Sequence, residues 1–145
     1  MPIVFADTSA LFGLFHPRDV FFTAVNDRRQ KTSAEFFYPP WLRHELRHNL
    51  RAARVDADGE AAWQALCAAE KHLLRGLRVD LLGQLQRAEK LWETFGAKVS
   101  FIGAADVLHV AAALDIGAAE FWTCDDGQAE FARTTGLKVI QFQPS

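Results

Sequence analysis

The chain has 145 residues, half of them apolar, and a formal net charge of −2 at neutral pH. This length suits one domain with a substantial core, and the apolar content excludes an intrinsically disordered chain. The weak negative charge excludes a protein that binds nucleic acid over its whole surface, so a site for a polyanion must be local. We predict a single domain over residues 1–145.

The chain shows no sign of export or membrane insertion. Its first apolar run is interrupted by Asp7 and follows no basic segment, which excludes a secretory signal peptide. No apolar run is long enough to span a bilayer. Cys67 and Cys124 match no metal-binding spacing, and a disulfide between them stays open. We expect a cytoplasmic protein.

Short apolar strands alternate with amphipathic helices along the chain. This alternation favours an α/β fold in which α-helices flank a central parallel β-sheet. Residues 40–95 are predicted to be all helical, as a lobe or helical hairpin inserted between the early and late strands. The predicted elements are strand 2–6, a helix capped by Thr8 or Ser9, a helix from Pro17 or Asp19, strand 35–38, helices 41–55, 60–74, 81–95 and 104–116, strand 120–124, helix 127–135 and strand 137–142.

Acidic side chains stand where predicted strands end or helices begin. Asp7 follows the first strand, Asp125 follows the strand at 120–124, and Asp106 lies in the first turn of the helix at 104–116. Taken alone, each aspartate also suits a helix cap. Because ligands collect at the carboxyl ends of strands in an α/β sheet, the pattern predicts that these acids converge on one edge.

Glu45 adds a fourth acid from the helix at 41–55. Leu42, Leu46 and Leu50 form the core-facing stripe of that helix, and Glu45 borders the stripe, so its carboxylate can point into a cleft. Carboxylates brought together repel one another unless a cation lies between them. Hard cations such as Mg²⁺ and Mn²⁺ prefer oxygen ligands, and such a site can hydrolyse phosphodiesters.

Three segments carry a more specific signal: VFADTSALFGLF near the start, WLRHELRHNL in the middle, and AADVLHVAAALDIGAAEFWTCDDGQAEFARTTGLKVI near the end. They resemble the PIN-domain ribonucleases, of the kind found as toxins in VapBC-type toxin–antitoxin pairs. The resemblance implies a parallel sheet between helices and a metal-dependent endoribonuclease with Mg²⁺ or Mn²⁺ as cofactor. It also implies three partners, namely an RNA substrate, a cognate antitoxin protein and a second copy of the chain in a homodimer.

The same resemblance assigns roles to particular residues. Ser9 matches the family's hydroxyl residue, which would orient a ligand or a water. The role of Asp126, next to Asp125, is left open. The positions that match the family's metal-binding and catalytic acids are Asp7, Glu45, Asp106 and Asp125.

A competing motif overlaps Glu45. The segment HELRH, from His44 to His48, matches H-E-x-x-H, in which two histidines one helical turn apart bind zinc and the glutamate is the general base. The longer metzincin pattern is not matched, and Glu60 or Glu70 would have to supply the third ligand. A zinc metallopeptidase is therefore the alternative function, and a catalytically inactive PIN-like binding module is the third hypothesis.

Arginines recur along one side of the helix at 41–55. Like charges at this spacing destabilise a helix by about 0.2–0.5 kcal/mol per pair, which favours an anionic partner. We predict contact with RNA phosphates for Arg43, Arg47 and Arg51; an acidic protein partner and a face paired with acids elsewhere in the chain are the alternatives. His109 is predicted to be a hydrogen-bond partner in the wall of the site. The full row is Arg43, Arg47, Arg51 and Arg54.

Overall fold

The computed structural model describes residues 1–52, 57–100 and 102–144. In these residues five parallel strands form one sheet, and the predicted α/β architecture is confirmed. The sheet order is β3-β2-β1-β4-β5. The strands are β1 (Ile3–Ala6), β2 (Glu35–Tyr38), β3 (Leu74–Gly76), β4 (Glu120–Thr123) and β5 (Val139–Gln141).

Helices flank this sheet. The first helix packs against the second, third and fourth, and the sixth packs against the fifth and seventh. No helix in the described ranges is long and apolar enough to cross a membrane. The helices are α1 (Thr8–Phe15), α2 (Phe22–Gln30), α3 (Pro40–Ala52), α4 (Ala57–Ala69), α5 (Leu81–Phe95), α6 (Ala104–Asp115) and α7 (Asp126–Thr134).

The order of the strands reverses beside β1. The chain places β2 and β3 on one side of β1 and then crosses to place β4 and β5 on the other. Phe5 of β1 lies opposite Phe37 of β2 and Phe121 of β4. Ligand sites in open α/β sheets lie at such a switch point, beyond the carboxyl ends of the strands. The residues that follow β1 and β4 therefore meet where a site is expected.

Large apolar side chains fill the space between sheet and helices. The stripe predicted on α3 is confirmed, because Leu42, Leu46 and Leu50 are each buried. Cys67 and Cys124 are both free thiols. The largest fully buried side chains include Trp122, Phe5, Phe36, Phe121, Phe131, Leu11 and Leu66.

The middle of the chain is not all helical, contrary to the prediction. The strand β3 lies between α4 and α5 and pairs with β2, with Leu74 opposite Phe36 and Gly76 opposite Tyr38. The predicted helix at 60–74 therefore ends earlier, at Ala69. Only Leu74 of this edge strand is buried, so the segment carries no alternating pattern that would indicate a strand.

Two helix starts also differ from the prediction. The cap of α1 is Asp7 rather than Thr8 or Ser9, since its carboxylate accepts a hydrogen bond from the amide of Ala10 at 2.9 Å. The helix α2 begins at Phe22, because Asp19 accepts from the amide of Phe21 and closes a turn instead of opening a helix.

Candidate functional site

The carboxylate of Asp7 is buried at the end of β1 and is 1% exposed. Its Oδ1 accepts hydrogen bonds from Ser9 Oγ at 2.6 Å and from the amide of Ala10, and its Oδ2 accepts from Thr123 Oγ1. Burial raises the pKa of Asp7, while the nearby His109 and these hydrogen bonds act in the opposite direction. Both carboxylate oxygens are therefore already bound within the protein.

Ser9 joins the ends of β1 and β4. While its hydroxyl donates to Asp7, it accepts from the amide of Cys124 at 2.9 Å. Thr123 makes a parallel link, since its hydroxyl donates to Asp7 and accepts from the amide of Asp125 at 3.0 Å. Burial raises the pKa of the Cys124 thiol to about 12, so it is not a nucleophile at neutral pH. These hydrogen bonds thus join the carboxyl ends of β1 and β4.

A cleft of about 480 Å³ opens at the switch point. Four carboxylates line it, and none of its described lining residues is a lysine or arginine. We call this cavity the acidic cleft. Its acids are Asp19, Glu45, Asp106 and Asp125, and the other lining residues are Thr8, Ser9, Phe12, Phe21, Asn49, His109 and Gln128.

Glu45 reaches the acidic cleft from α3. Its Oε1 accepts a hydrogen bond from Thr8 Oγ1 at 2.6 Å, and Nε2 of His109 lies 3.3 Å from the same oxygen. The hydrogen bond to His109 is the largest effect on the pKa of Glu45 and, with the contact to Thr8, holds it below the usual value despite partial burial. Glu45 is therefore ionised at neutral pH.

Asp106 and Asp125 each lie at the start of a helix and also line the cleft. Asp106 Oδ2 accepts from the amide of Gly103 at 3.2 Å, and Asp125 Oδ1 accepts from the amide of Gln128 at 2.7 Å. Burial raises the pKa of Asp106, and the charges of Asp125 and Glu45 raise it further. The capping role and the cleft-lining role of these aspartates are thus compatible.

A comparison with protein families identifies the family of this fold. The family model of the PIN domain matches residues 4–134. The chain belongs to the PIN domain family. No match was found among curated proteins.

Solved structures share the fold of this PIN domain at low sequence identity. VapBC2 from Rickettsia felis, bound to a promoter DNA fragment, aligns with a TM-score of 0.68 and 14% identity over 97% of this chain and 99% of that chain. The toxin VapC20 from Mycobacterium tuberculosis aligns with a TM-score of 0.68 and 16% identity over 95% and 98%. VapBC-1 from nontypeable Haemophilus influenzae aligns with a TM-score of 0.59 and 18% identity over 96% and 97%.

The donor set of this PIN domain suits a hard cation, although the acids are not drawn together around one point. Among the described residues, no group of three His, Cys, Asp or Glu side chains is placed to hold a metal ion. Glu45, Asp106 and Asp125 each keep one carboxylate oxygen without a hydrogen bond to any described residue. Carboxylate oxygens are the ligands that Mg²⁺ and Mn²⁺ prefer, and a bound cation would offset the repulsion between the carboxylates. Asp7 fits less well as a direct ligand, because both of its oxygens accept hydrogen bonds.

The structure gives Asp126 and Asp19 positions that the sequence did not indicate. The carboxylate of Asp126 accepts a hydrogen bond from Gln141 on β5, and Asp126 does not line the acidic cleft. Asp19, predicted only as a possible helix start, does line it. The turn before α2 brings Asp19 to the cleft, and no spacing in the sequence indicates that turn's direction.

The zinc site that the HELRH motif suggested is not formed in the described part of the chain. His44 and His48 are exposed on α3, and neither lines the acidic cleft that Glu45 enters. The two acids considered as a third ligand are ion-paired, Glu70 with Arg43 and Glu60 with Arg47. The motif therefore reflects two surface histidines on either side of a cleft-lining glutamate.

Arg43 and Arg47, the two arginines of the row whose side chains are described, pack toward α4. Arg43 binds Glu70 through two nitrogens, at 2.9 Å each, and Tyr38 donates a further hydrogen bond to Glu70. Arg43 and Arg47 both lie over the ring of Trp63, with each guanidinium carbon 4.6 Å from the ring centroid. These arginines pair with acids elsewhere in the chain, the alternative stated above. Arg51 and Arg54 lie outside the residues whose side chains the structure describes.

Proposed function

We propose that this PIN domain is a metal-dependent endoribonuclease and the toxin of a toxin–antitoxin pair. The observation that supports this most is the acidic cleft itself, which is lined by carboxylates from α3, α6 and the end of β4 and has no lysine or arginine among its described lining residues. Such a cluster repels an RNA phosphate unless a cation is bound. The similar VapC20 is described as a toxin that cleaves the sarcin–ricin loop.

Glu45, Asp106 and Asp125 would hold one or two Mg²⁺ or Mn²⁺ ions through their uncommitted oxygens. When bound, such a cation activates a water and neutralises charge on the departing oxygen of a phosphodiester. Asp7 stays a predicted fourth ligand. Its hydrogen bonds to Ser9 and Thr123 hold the ends of β1 and β4 together beside the cleft.

The protein's own side chains set the geometry for this chemistry. Ser9 orients the carboxylate of Asp7, and the links from Thr123 and Cys124 hold the end of β4 against α1. An RNA phosphate would compete with Glu70 for Arg43 and with Glu60 for Arg47, so the predicted role of these two arginines in RNA binding requires their ion pairs to open. Arg51 stays a predicted RNA contact.

We also propose a cytoplasmic location, a cognate antitoxin as a protein partner and self-association as a homodimer. Two of the similar structures are described as VapBC assemblies, which supports a protein partner. Most of the aromatic residues lie in or against the core, but Trp92 is exposed beside several leucines of α5. Large exposed apolar side chains of this kind mark contact surfaces. On α5 they are Leu81, Leu82, Leu85 and Trp92.

The nuclease proposal is tested by Asp106→Asn. The asparagine oxygen can still accept from Gly103, so the start of α6 is kept while one negative charge leaves the cleft. We expect Mn²⁺-dependent cleavage of RNA to fall by about a hundredfold or more. The measurement is the initial rate on a labelled RNA pool with Mn²⁺ and with EDTA.

Asp27→Asn is the matched control, because Asp27 is exposed on α2 and does not line the acidic cleft. It should cleave RNA at the wild-type rate. Full activity in Asp106→Asn would contradict the mechanism. A wild-type protein that neither binds Mn²⁺ nor cleaves RNA would instead identify a binding module.

A further inference from the structure

Three elements converge on a single oxygen of Glu45. Thr8, the first residue of α1, donates to Oε1 at 2.6 Å, and Nε2 of His109 on α6 lies 3.3 Å from the same atom. Thr8 Oγ1 and His109 Nε2 are 3.4 Å apart, so the three groups form a closed triangle. Thr8 and His109 are both buried, whereas the side chain of Glu45 is one-third exposed. These contacts therefore hold Oε1 of Glu45 and leave Oε2 available to the cleft.

The ring of His109 is itself held in place. It meets Trp41 edge-to-face at 4.9 Å between ring centroids and Phe5 edge-to-face at 6.0 Å. Trp41 is fixed in turn, because its indole nitrogen donates to Gln84 on α5 at 2.9 Å. A side chain packed in this way cannot swing out to bind a ligand in the cleft, but it can fix its neighbour.

The hydrogen-bond pattern also assigns the proton on His109. Nδ1 is buried and has no hydrogen-bond partner in the described residues. A carboxylate oxygen only accepts, so the nitrogen that faces Glu45 must carry the hydrogen. The ring thus donates through Nε2 to Glu45, and its Nδ1 takes no part in holding the carboxylate.

We propose that Thr8 and His109 are positioning residues that hold Glu45 with Oε1 bound to the protein and Oε2 presented to the acidic cleft. This inference rests on the proposed function, since it assigns how one of the cleft's carboxylates is oriented for a divalent cation. A glutamate that is already oriented loses less conformational freedom when it binds an ion, so the affinity for that ion is higher.

Two pairs of variants test this role by calorimetric titration with Mn²⁺ alone. Thr8→Val removes the donor and keeps the shape, whereas Thr8→Ser keeps the hydroxyl. His109→Leu removes the second donor, whereas His109→Gln restores an N–H at a similar reach. We expect the affinity for Mn²⁺ to fall about 10- to 100-fold in Thr8→Val and His109→Leu. Thr8→Ser and His109→Gln should recover most of it.

Thr94→Val is the matched control, because Thr94 is exposed on α5 and its hydroxyl donates to the carbonyl of Lys90 and to no other described residue. It should bind Mn²⁺ as the wild type does. Thermal unfolding in EDTA shows which variants are folded. If His109→Leu does not fold, the comparison of Thr8→Val with Thr8→Ser decides the question.

The outcomes separate this inference from the proposed function. Wild-type affinity in Thr8→Val overturns the positioning role and leaves the nuclease proposal intact. An equal loss in Thr8→Val and Thr8→Ser, or in Thr94→Val, also overturns it, because the effect would not follow the hydroxyl that bonds Glu45. A wild-type protein that does not bind Mn²⁺ overturns both.

Discussion

Asp7 shows how one aspartate serves both the fold and the candidate site. Its carboxylate caps α1 through the amide of Ala10 and binds the hydroxyls of Ser9 and Thr123. These bonds need an acceptor oxygen, but they do not need a charge. Burial makes the ionised form costly and raises the pKa, and His109 and the hydrogen bonds offset this only in part. Ionisation of Asp7 therefore lowers the free energy of unfolding.

We predict that Asp7→Asn stabilises the folded protein at neutral pH. Because the pKa of Asp7 is raised on folding, the wild type loses stability as the pH rises through and above the ordinary value of 3.8. Asparagine keeps the acceptor for the cap and never ionises. The advantage of Asp7→Asn over the wild type should therefore be present at neutral pH and disappear below pH 3.8.

Asp7→Ala provides the contrast. Alanine also removes the charge, but it leaves the amide of Ala10 and the hydroxyls of Ser9 and Thr123 without their acceptor. It should be less stable than Asp7→Asn by at least about 1 kcal/mol. Urea unfolding in EDTA measures all three proteins. Equal stabilities of the two variants would show that the hydrogen bonds of Asp7 contribute nothing.

The junction between β4 and α7 shows what local sequence can and cannot decide. Two aspartates follow the strand, and the sequence did not distinguish their roles. Asp125 stands at the cap position with extended backbone angles, whereas Asp126 is the first helical residue. Because only Asp126 has helical backbone angles, the two side chains leave the chain in different directions. One carboxylate therefore faces the cleft and the other faces Gln141 on β5.

We predict that Asp125→Asn and Asp126→Asn differ in activity. Asp125→Asn should lower Mn²⁺-dependent RNA cleavage by about a hundredfold, because it removes a cleft charge while keeping the cap to Gln128. Asp126→Asn should stay within about twofold of the wild type, since an exposed substitution of this kind changes little. Steady-state cleavage rates on one RNA substrate test the pair. A loss in Asp126→Asn alone would reverse the assignment of the two residues.

At the scale of the whole molecule, the sequence predicted the positions of those strands and helices in which a pattern of apolar residues recurs within the element. The strands β1, β2 and β4 and the helices α3 and α6 lie close to their predicted positions, because at least two buried side chains repeat in each. The helix α5 also lies where it was predicted, although only Gln84 and Ala88 of its side chains are buried. The strand β3 has three residues and one buried side chain, too few for a pattern. The partner of Arg43 lies 27 residues away, so only the tertiary fold shows that it binds Glu70.

The acidic cleft also links the proposed chemistry to the stability of the whole domain. Asp106 is affected by burial and by the charges of Asp125 and Glu45, all of which raise its pKa. The ionised form of Asp106 therefore opposes folding at neutral pH, and a divalent cation that binds only the folded state should offset this cost. A functional site that is strained in this way trades stability for activity.

We predict that Mn²⁺ raises the unfolding temperature of the wild type and does so much less for Asp106→Asn. A ligand at about 100 times its dissociation constant adds about 2.7 kcal/mol to the stability of the state that binds it. In EDTA at neutral pH, Asp106→Asn should unfold at a higher temperature than the wild type, because one repelling charge is gone. Scanning calorimetry of both proteins, with Asp27→Asn as the surface control, measures the two differences. An Mn²⁺-dependent increase of equal size in all three proteins would place the ion outside the acidic cleft.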